Sequence, residues 1–125
     1  MVIGIGIDVV DVARVRSELR RDASAFKRDL FTPHEIGYCE AQRSAARHYA
    51  ARLAAKEALY KALETGIEDG GAWRDVEVRR GPSGGATIAL RGRAKEVADH
   101  LGARRVLVSL SHTDRWAVAS VVAES

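Results

Sequence analysis

The stretch Leu53-Ala54-Ala55-Lys56-Glu57-Ala58-Leu59-Tyr60-Lys61-Ala62-Leu63 decides how this chain is read, because it sets three charges into an alanine- and leucine-rich segment with the texture of a core helix. Alanine and leucine favour helix, and charges inside such a helix need a partner or a task. At 3.6 residues per turn, Glu57 and Lys61 stand one turn apart on one face, beside Leu53 and Glu64, while Leu59 and Leu63 point elsewhere. That face can hold a metal and a phosphate together. Ser44 is a candidate cap for the start of the helix, the spacing carries it to about Leu63, and Thr65-Gly66 puts a glycine beyond its end. The segment is the expected spine of the domain.

Upstream, Val2-Ile3-Gly4-Ile5-Gly6-Ile7-Asp8 reads as a buried strand, with glycines at 4 and 6 that let another backbone or a ligand come close. A helix follows over about 11–21, with Asp11 as its cap. Thr32-Pro33-His34-Glu35 is a full capping box with proline at the first helical position, so a second helix starts at Pro33 and ends near Ala41. Downstream, Asp75-Val76-Glu77-Val78-Arg79 alternates like a half-buried strand, 81–85 turns, and Ala86-Thr87-Ile88-Ala89-Leu90 returns as the other half of a hairpin. Gly92–Leu101 has helical periodicity, and 105–111 and 116–122 read as two strands that pair antiparallel. The expected fold is α+β, with one long central helix packed on a mainly antiparallel sheet.

At 125 residues and 46% hydrophobic content, one domain over 1–125 is expected, too short to split in two. So small a domain points to an active site shared with a neighbouring subunit. No apolar run approaches the roughly 20 residues that span a bilayer, and the N-terminus lacks the pattern of a secretory leader, so a soluble, cytoplasmic protein is expected. The single cysteine, Cys39, has no partner for a disulfide or a zinc site and reads as a small packed residue. The net charge of +3 comes chiefly from arginine, with Arg14, Arg16, Arg20, Arg21, Lys27 and Arg28 gathered early. An acidic partner is favoured. Nucleic acid is not: there is no long basic run, no stacking pair of aromatics, and no recognisable nucleic-acid motif.

On its own, a glutamate followed four residues later by lysine is an ordinary surface pair worth about 0.2–0.5 kcal/mol. Asp8, which ends the opening strand and has no capping task, changes the balance. Asp8 and Glu57 together suit Mg²⁺, which takes one or two protein carboxylates and fills its octahedron with water and phosphate oxygens. The substrate then carries phosphate. Lys61 would stand near the same phosphates as a compact positive charge, with Arg52 and Lys56 on an adjoining face of the helix. Ser109-Leu110-Ser111-His112-Thr113 ends a strand in hydroxyls and an imidazole that can donate to phosphate. No nucleophile elbow or Walker loop is present, and His34, His48 and His100 show no metal-ligand spacing and read as surface or packing residues. A noncatalytic basic module and a different Mg²⁺-dependent nucleotide enzyme are the two other readings.

Three blocks, Gly4-Ile5-Gly6-Ile7-Asp8-Val9-Val10-Asp11, then Arg52-Leu53-Ala54-Ala55-Lys56-Glu57-Ala58 with Lys61-Ala62-Leu63, then Val108-Ser109-Leu110-Ser111-His112-Thr113, occur in order. In these the chain resembles the holo-[acyl-carrier-protein] synthases, the small single-domain class of 4'-phosphopantetheinyl transferases. The resemblance covers nearly the whole chain. It implies the fold of those transferases, and transfer of 4'-phosphopantetheine from coenzyme A to a serine of apo acyl carrier protein in fatty acid or polyketide biosynthesis. It also implies a Mg²⁺ requirement and a homotrimer with active sites between subunits. By matching position, Asp8 and Glu57 would be metal ligands, Glu57 or a water at the metal would help deprotonate the serine, and Lys61 would steady the phosphate and leaving group. Arg52, Lys56, Lys61, Ser111, His112 and Thr113 are implied as coenzyme A contacts, and Arg14, Arg21 and Arg28 as contacts to the acidic carrier protein. One departure stands out: the family's Gly-Lys-Pro or Gly-Arg-Pro in the hairpin is Gly84-Gly85-Ala86 here, so the contacts implied on the coenzyme's nucleotide side do not carry over at that point.

Overall fold

The computed structural model describes residues 1–125. In chain order the elements are β1 (Val2–Asp11), α1 (Val12–Leu30), α2 (Pro33–Glu40), α3 (Ala45–Ala62), β2 (Val76–Arg80), β3 (Ala86–Leu90), α4 (Gly92–Leu101), β4 (Arg105–His112) and β5 (Trp116–Glu124), with short 3₁₀ turns at Ile67–Asp69 and Trp73–Asp75. The strands form an antiparallel sheet of order β1-β5-β4 and a separate β2-β3 hairpin. The α+β expectation is met, with α3 laid across one face of the sheet.

Thirteen of the 18 residues of α3 are buried, so it has no apolar stripe but is apolar almost all round, the pattern of a helix inside a core. Alanines let it sit close to the sheet. The inward residues of β5, Ala117, Ala119, Val121 and Ala123, are all fully buried. Gly4 and Gly6 of β1 complete the fit: a Cβ on Gly6 would lie 1.9 Å from the Ala58 carbonyl oxygen, and one on Gly4 2.0 Å from that of Ala62. The close neighbour anticipated for these glycines is the backbone of α3.

The capping box of α2 forms as read, with the Glu35 amide donating to Thr32 Oγ1 (3.3 Å) and the Thr32 amide to Glu35 Oε1 (2.9 Å). Asp11 caps α1 by accepting from the Ala13 amide at 2.9 Å. The other helix ends differ from expectation. α1 does not stop near 21 but kinks at Asp22 (φ −156°, ψ 84°), whose carboxylate accepts from the Ala25 amide and restarts the helix to Leu30. Ser44 makes no side-chain cap to α3. At its C-terminus Glu64, not Gly66, takes the left-handed conformation (φ 53°), with the Thr65 amide bonded to the Tyr60 carbonyl and the Glu64 amide to that of Lys61. Those two bonds define a Schellman motif, which tolerates a non-glycine residue at a conformational cost.

The opening strand is not buried on both faces. Its outward residues Ile3, Ile5, Ile7 and Val9 are 39–71% exposed, and Leu107 and Trp116 of the neighbouring strands share that outer face. Only one side of the sheet is covered by helix. No helix is long and apolar enough to cross a membrane.

Candidate active site

Asp8 points inward from β1 next to Gly6, and the close β1–α3 packing brings it to the face of α3 that carries Glu57 and Lys61. Lys61 Nζ donates to Asp8 Oδ1 at 2.7 Å and to the Ile7 carbonyl at 3.1 Å. The Asp8 and Glu57 carboxyls are within hydrogen-bonding reach of each other, and the Glu57 pKa is pushed up to about 7. Burial is the main cause; the adjacent Asp8 carboxylate adds to it, and Arg14 and Lys61 oppose it. The two carboxylates share one adjacent ammonium, Lys61, which among their oxygens bonds to Asp8 Oδ1 only, and together they form a proton- or cation-binding pair. Asp8 Oδ2 is buried with no hydrogen-bond partner, the kind of orphaned acceptor that a cation would satisfy.

The chain supplies only two such ligands, since no cluster of three or more His, Cys, Asp or Glu converges on a common point. That number fits Mg²⁺, which leaves its other positions to water and phosphate oxygens, and does not fit a closed structural zinc site. Lys61 is turned back on Asp8, but its side chain is 57% exposed, so the contact is a weakly held surface pair that a phosphate can displace.

A groove of about 290 Å³ leads from Glu57 over α1, lined by Arg14, Val15, Phe26, Leu30, Leu53 and Trp73. Arg14 thus belongs to the acidic centre as well as to the basic helix. Arg21 and Arg28 lie along the exposed side of α1, paired with Glu18 (2.7 Å) and Asp29 (3.6 Å). The sequence reading had no part for Phe26, Leu30 and Trp73, because the helix from 23 to 30 and the 3₁₀ turn carry no strong periodic signal.

Arg52 and Lys56 do not stand beside Glu57 and Lys61. Lys56 is fully buried, bonded to Glu35 Oε1 (2.7 Å), to the Trp73 carbonyl (3.1 Å) and to the Val76 carbonyl, while Glu35 Oε2 accepts from the Val78 amide. Burial pulls the ammonium pKa down and Glu35 works against that. All three Lys56 protons have acceptors inside the protein, so the coenzyme contact expected of it is corrected to a structural one that ties α2, α3 and β2 together. The sequence signal for its partner was Glu35 of the capping box, which was read only as a cap.

Arg52 opens instead into a cleft of about 520 Å³ between α3, the hairpin and β4, where His48, Arg79, Arg80 and His112 join it and no carboxylate lines the wall. Its guanidinium lies 4.0 Å over the Tyr38 ring, and its Nε, like His112 Nδ1, is buried with no hydrogen-bond partner. Gly84 and Gly85 border this cleft with Arg79 and Arg80 close by, so cations are present where the hairpin lacks the family's lysine or arginine. Ser111 does not share it: β4 alternates, His112 facing the cleft and Ser111 exposed on the outer face of the sheet. Thr113 is taken up by its own turn, its hydroxyl accepting from the Arg115 and Trp116 amides at 3.2 and 3.1 Å.

The two halves of the site lie on opposite sides of α3. At 100° per residue, the nine residues from His48 to Glu57 and from Arg52 to Lys61 each amount to half a turn beyond whole turns. A ligand held by one protomer alone would have to wrap round the helix to touch both halves.

An α+β fold with a paired aspartate and glutamate on one side of its spine helix and a cation-lined cleft on the other defines a class of phosphate-handling transferase. Residues 4–120 match the family model of the 4'-phosphopantetheinyl transferase superfamily, and the chain belongs to that family. It is 45% identical over 124 residues to the holo-[acyl-carrier-protein] synthase of Koribacter versatilis, covering 99% of each chain. Its structure is similar to that of the Neisseria meningitidis holo-[acyl-carrier-protein] synthase (TM-score 0.89, 30% identity, 100% of both chains). It is also similar to the Helicobacter pylori holo-[acyl-carrier-protein] synthase in complex with coenzyme A (TM-score 0.84, 31% identity, 96% of this chain and 99% of that one).

Proposed function

We propose that this chain transfers 4'-phosphopantetheine from coenzyme A to a serine hydroxyl of an apo acyl carrier protein, releasing adenosine 3',5'-bisphosphate, in service of fatty acid or polyketide synthesis. The observation that carries the reading is the Asp8–Glu57 pair, a half-buried carboxylate pair with one buried, orphaned oxygen and two flanking cations, Lys61 and Arg14. Asp8 and Glu57 would hold Mg²⁺, which when bound neutralises charge on the diphosphate oxygens. The Glu57 carboxylate is placed to take the proton from the carrier serine as its oxygen bonds to phosphorus and the bond to the bisphosphate breaks. Lys61 swings from Asp8 to the phosphates and balances the charge that builds on the leaving oxygen. The Arg52, Arg79, Arg80 and His112 side chains take the nucleotide end of the coenzyme. Arg14, Arg21 and Arg28 meet the acidic carrier, with Arg14 nearest the reacting serine.

The placement of the acidic pair and the cationic cleft on opposite sides of α3 supports a site shared between subunits, and the reading takes the working unit as a homotrimer in which one protomer's cleft faces its neighbour's Asp8 and Glu57. The outer face of the sheet, with Ile3, Ile5, Ile7, Val9, Leu107 and Trp116 exposed, is the apolar surface such an assembly would cover. Ser111 on that face would then reach a neighbour's ligand. Site residues, trimer and cytoplasmic residence are parts of this one reading.

The test is mass spectrometry of an apo carrier protein incubated with this protein, coenzyme A and Mg²⁺. The expected product is heavier by one phosphopantetheine; no gain across fatty-acid and polyketide carriers ends the reading. Asp8→Asn and Glu57→Gln each lower turnover by orders of magnitude, and retained turnover in both removes the metal assignment.

A further inference from the structure

Nothing in the reaction as described uses His48, yet it is the residue that joins the parts of the cationic cleft. Its ring stands edge-on to His112 at 5.0 Å and to Tyr38 at 5.7 Å, and Tyr38 carries the Arg52 guanidinium on its face. Apart from Tyr38, the charged and titratable groups lining the cleft or beside His48 are cations, Arg47 and Arg52 from α3, His112 from β4, and Arg79 and Arg80 from β2, of which Arg79 is paired at 2.5 Å with Glu77, outside the lining. Tyr38 of α2 is neutral. Asp114, from the turn after β4, is paired with Arg47. The two carboxylates of α2 are also occupied, Glu35 by Lys56 and Glu40 by Tyr49 and Lys27.

We propose that His48 couples a proton to anion binding in this cleft: neutral when the cleft is empty, it becomes imidazolium when a polyphosphate ligand enters, and so sets the pH dependence of coenzyme affinity while holding the His112 ring. This rests on the reading that coenzyme A occupies the cleft. The physical reason is charge crowding. Burial first, then the positive charges of His112, Arg52 and Arg47, hold the His48 pKa below its ordinary 6.5. A bound phosphate places opposite charge among those cations and removes the penalty, which raises the pKa again. The sign follows: with the pKa lower in the free protein than in the complex, affinity is greatest below the free value and falls as pH rises through the bound value. His48 is therefore a positioning residue with a proton-linked role.

Calorimetric titration of coenzyme A into the full chain, in two buffers of different ionisation heat between pH 5.5 and 8, counts the protons taken up. The coenzyme's own phosphate titrates equally for every variant, so the comparison that matters is with His48→Phe, which keeps the edge-on ring, and with His48→Gln, the alternative should phenylalanine impair folding. Wild type is expected to take up a fraction of a proton more than either variant near pH 6.5. Its affinity should gain about three- to fivefold relative to theirs between pH 8 and 6, approaching about tenfold only below the free value, for a pKa raised by about one unit on binding. Equal uptake in wild type and variants overturns the inference and leaves the reading intact. So does loss of uptake only in His112→Gln. If coenzyme A fails to bind wild type at any pH, the cleft reading itself falls and takes the inference with it.

Discussion

Gly6→Ala is the perturbation that most directly tests how this fold makes its site. A methyl group at position 6 would lie 1.9 Å from the Ala58 carbonyl oxygen and 2.9 Å from both the Ala58 carbonyl carbon and the Ala62 amide nitrogen. Cβ atoms do not approach other atoms closer than 3.0 Å, so α3 and β1 must part by at least 1.1 Å at that point. The obstacle is backbone on both sides, so no rotamer change relieves it. Overpacking of this kind costs about 1–3 kcal/mol, and the absence of a yielding side chain puts the cost at the upper end. For a chain of this size, that lowers the melting temperature by about 10 °C. The consequence for function is larger, because the same contact sets the distance between Asp8 and Glu57, and a misplacement near 1 Å in a reacting constellation costs about a hundredfold. Thermal denaturation and the carrier-loading assay read the two effects separately. The internal comparison is Gly37→Ala, at an exposed position of α2 with nothing within 4 Å of the added methyl; it should stabilise by about 0.5–1 kcal/mol and leave turnover unchanged. Wild-type melting and turnover in Gly6→Ala would refute the argument that close β1–α3 packing builds the site.

The raised Glu57 pKa makes stability depend on pH in metal-free buffer. A carboxyl group moved from 4.5 to about 7 on folding contributes stability that is complete below the lower value and is lost as pH rises through the upper one. Glu57→Gln cannot ionise, so its melting temperature should climb relative to wild type from pH 5 to pH 8, by an amount reduced because Glu57 is only half-buried; parallel curves would remove the carboxylate pair. Arg14→Ala takes away a cation that holds the Glu57 pKa down, so the acid limb of the pH–rate profile should move to higher pH, with a larger KM for carrier protein and unchanged coenzyme A affinity. A coenzyme A defect instead would place Arg14 in the other half of the site. Lys56→Met leaves the Glu35 carboxylate buried without its cation and should cost about 3–5 kcal/mol in denaturant unfolding. A surface-like loss below 1 kcal/mol would show that Lys56 is not the internal tie described above.

What could be read in advance and what could not divides along a physical line. The Thr32–Glu35 capping box, the Asp11 cap, the spine helix to within a residue at each end, the hairpin and the antiparallel pair of β4 and β5 all follow from interactions between residues near in sequence. So does the three-block pattern that leads to the transferase family. The glycine expected beyond the end of α3 is Gly66, glycine being the usual left-handed residue, whereas two backbone hydrogen bonds put Glu64 in that conformation instead. The apolar run through Ile3, Ile5 and Ile7 predicts burial but says nothing about which of its faces is covered, and these three side chains stand on the uncovered one. Lys56 and Arg52 were grouped with Glu57 and Lys61, although helical spacing sends them elsewhere: Lys56 to Glu35 in the interior and Arg52 to the cleft with His48 and His112.

Caps, turns and periodicities are local chemistry, and the order of residues alone determined them here, together with the family. The inward turn of Asp8 onto Glu57, the inward burial of Lys56 and the cleft around His48 depend on which elements pack against which. Those pairings come from close approach of distant backbone, above all at Gly6 against Ala58, and only the tertiary structure decided them.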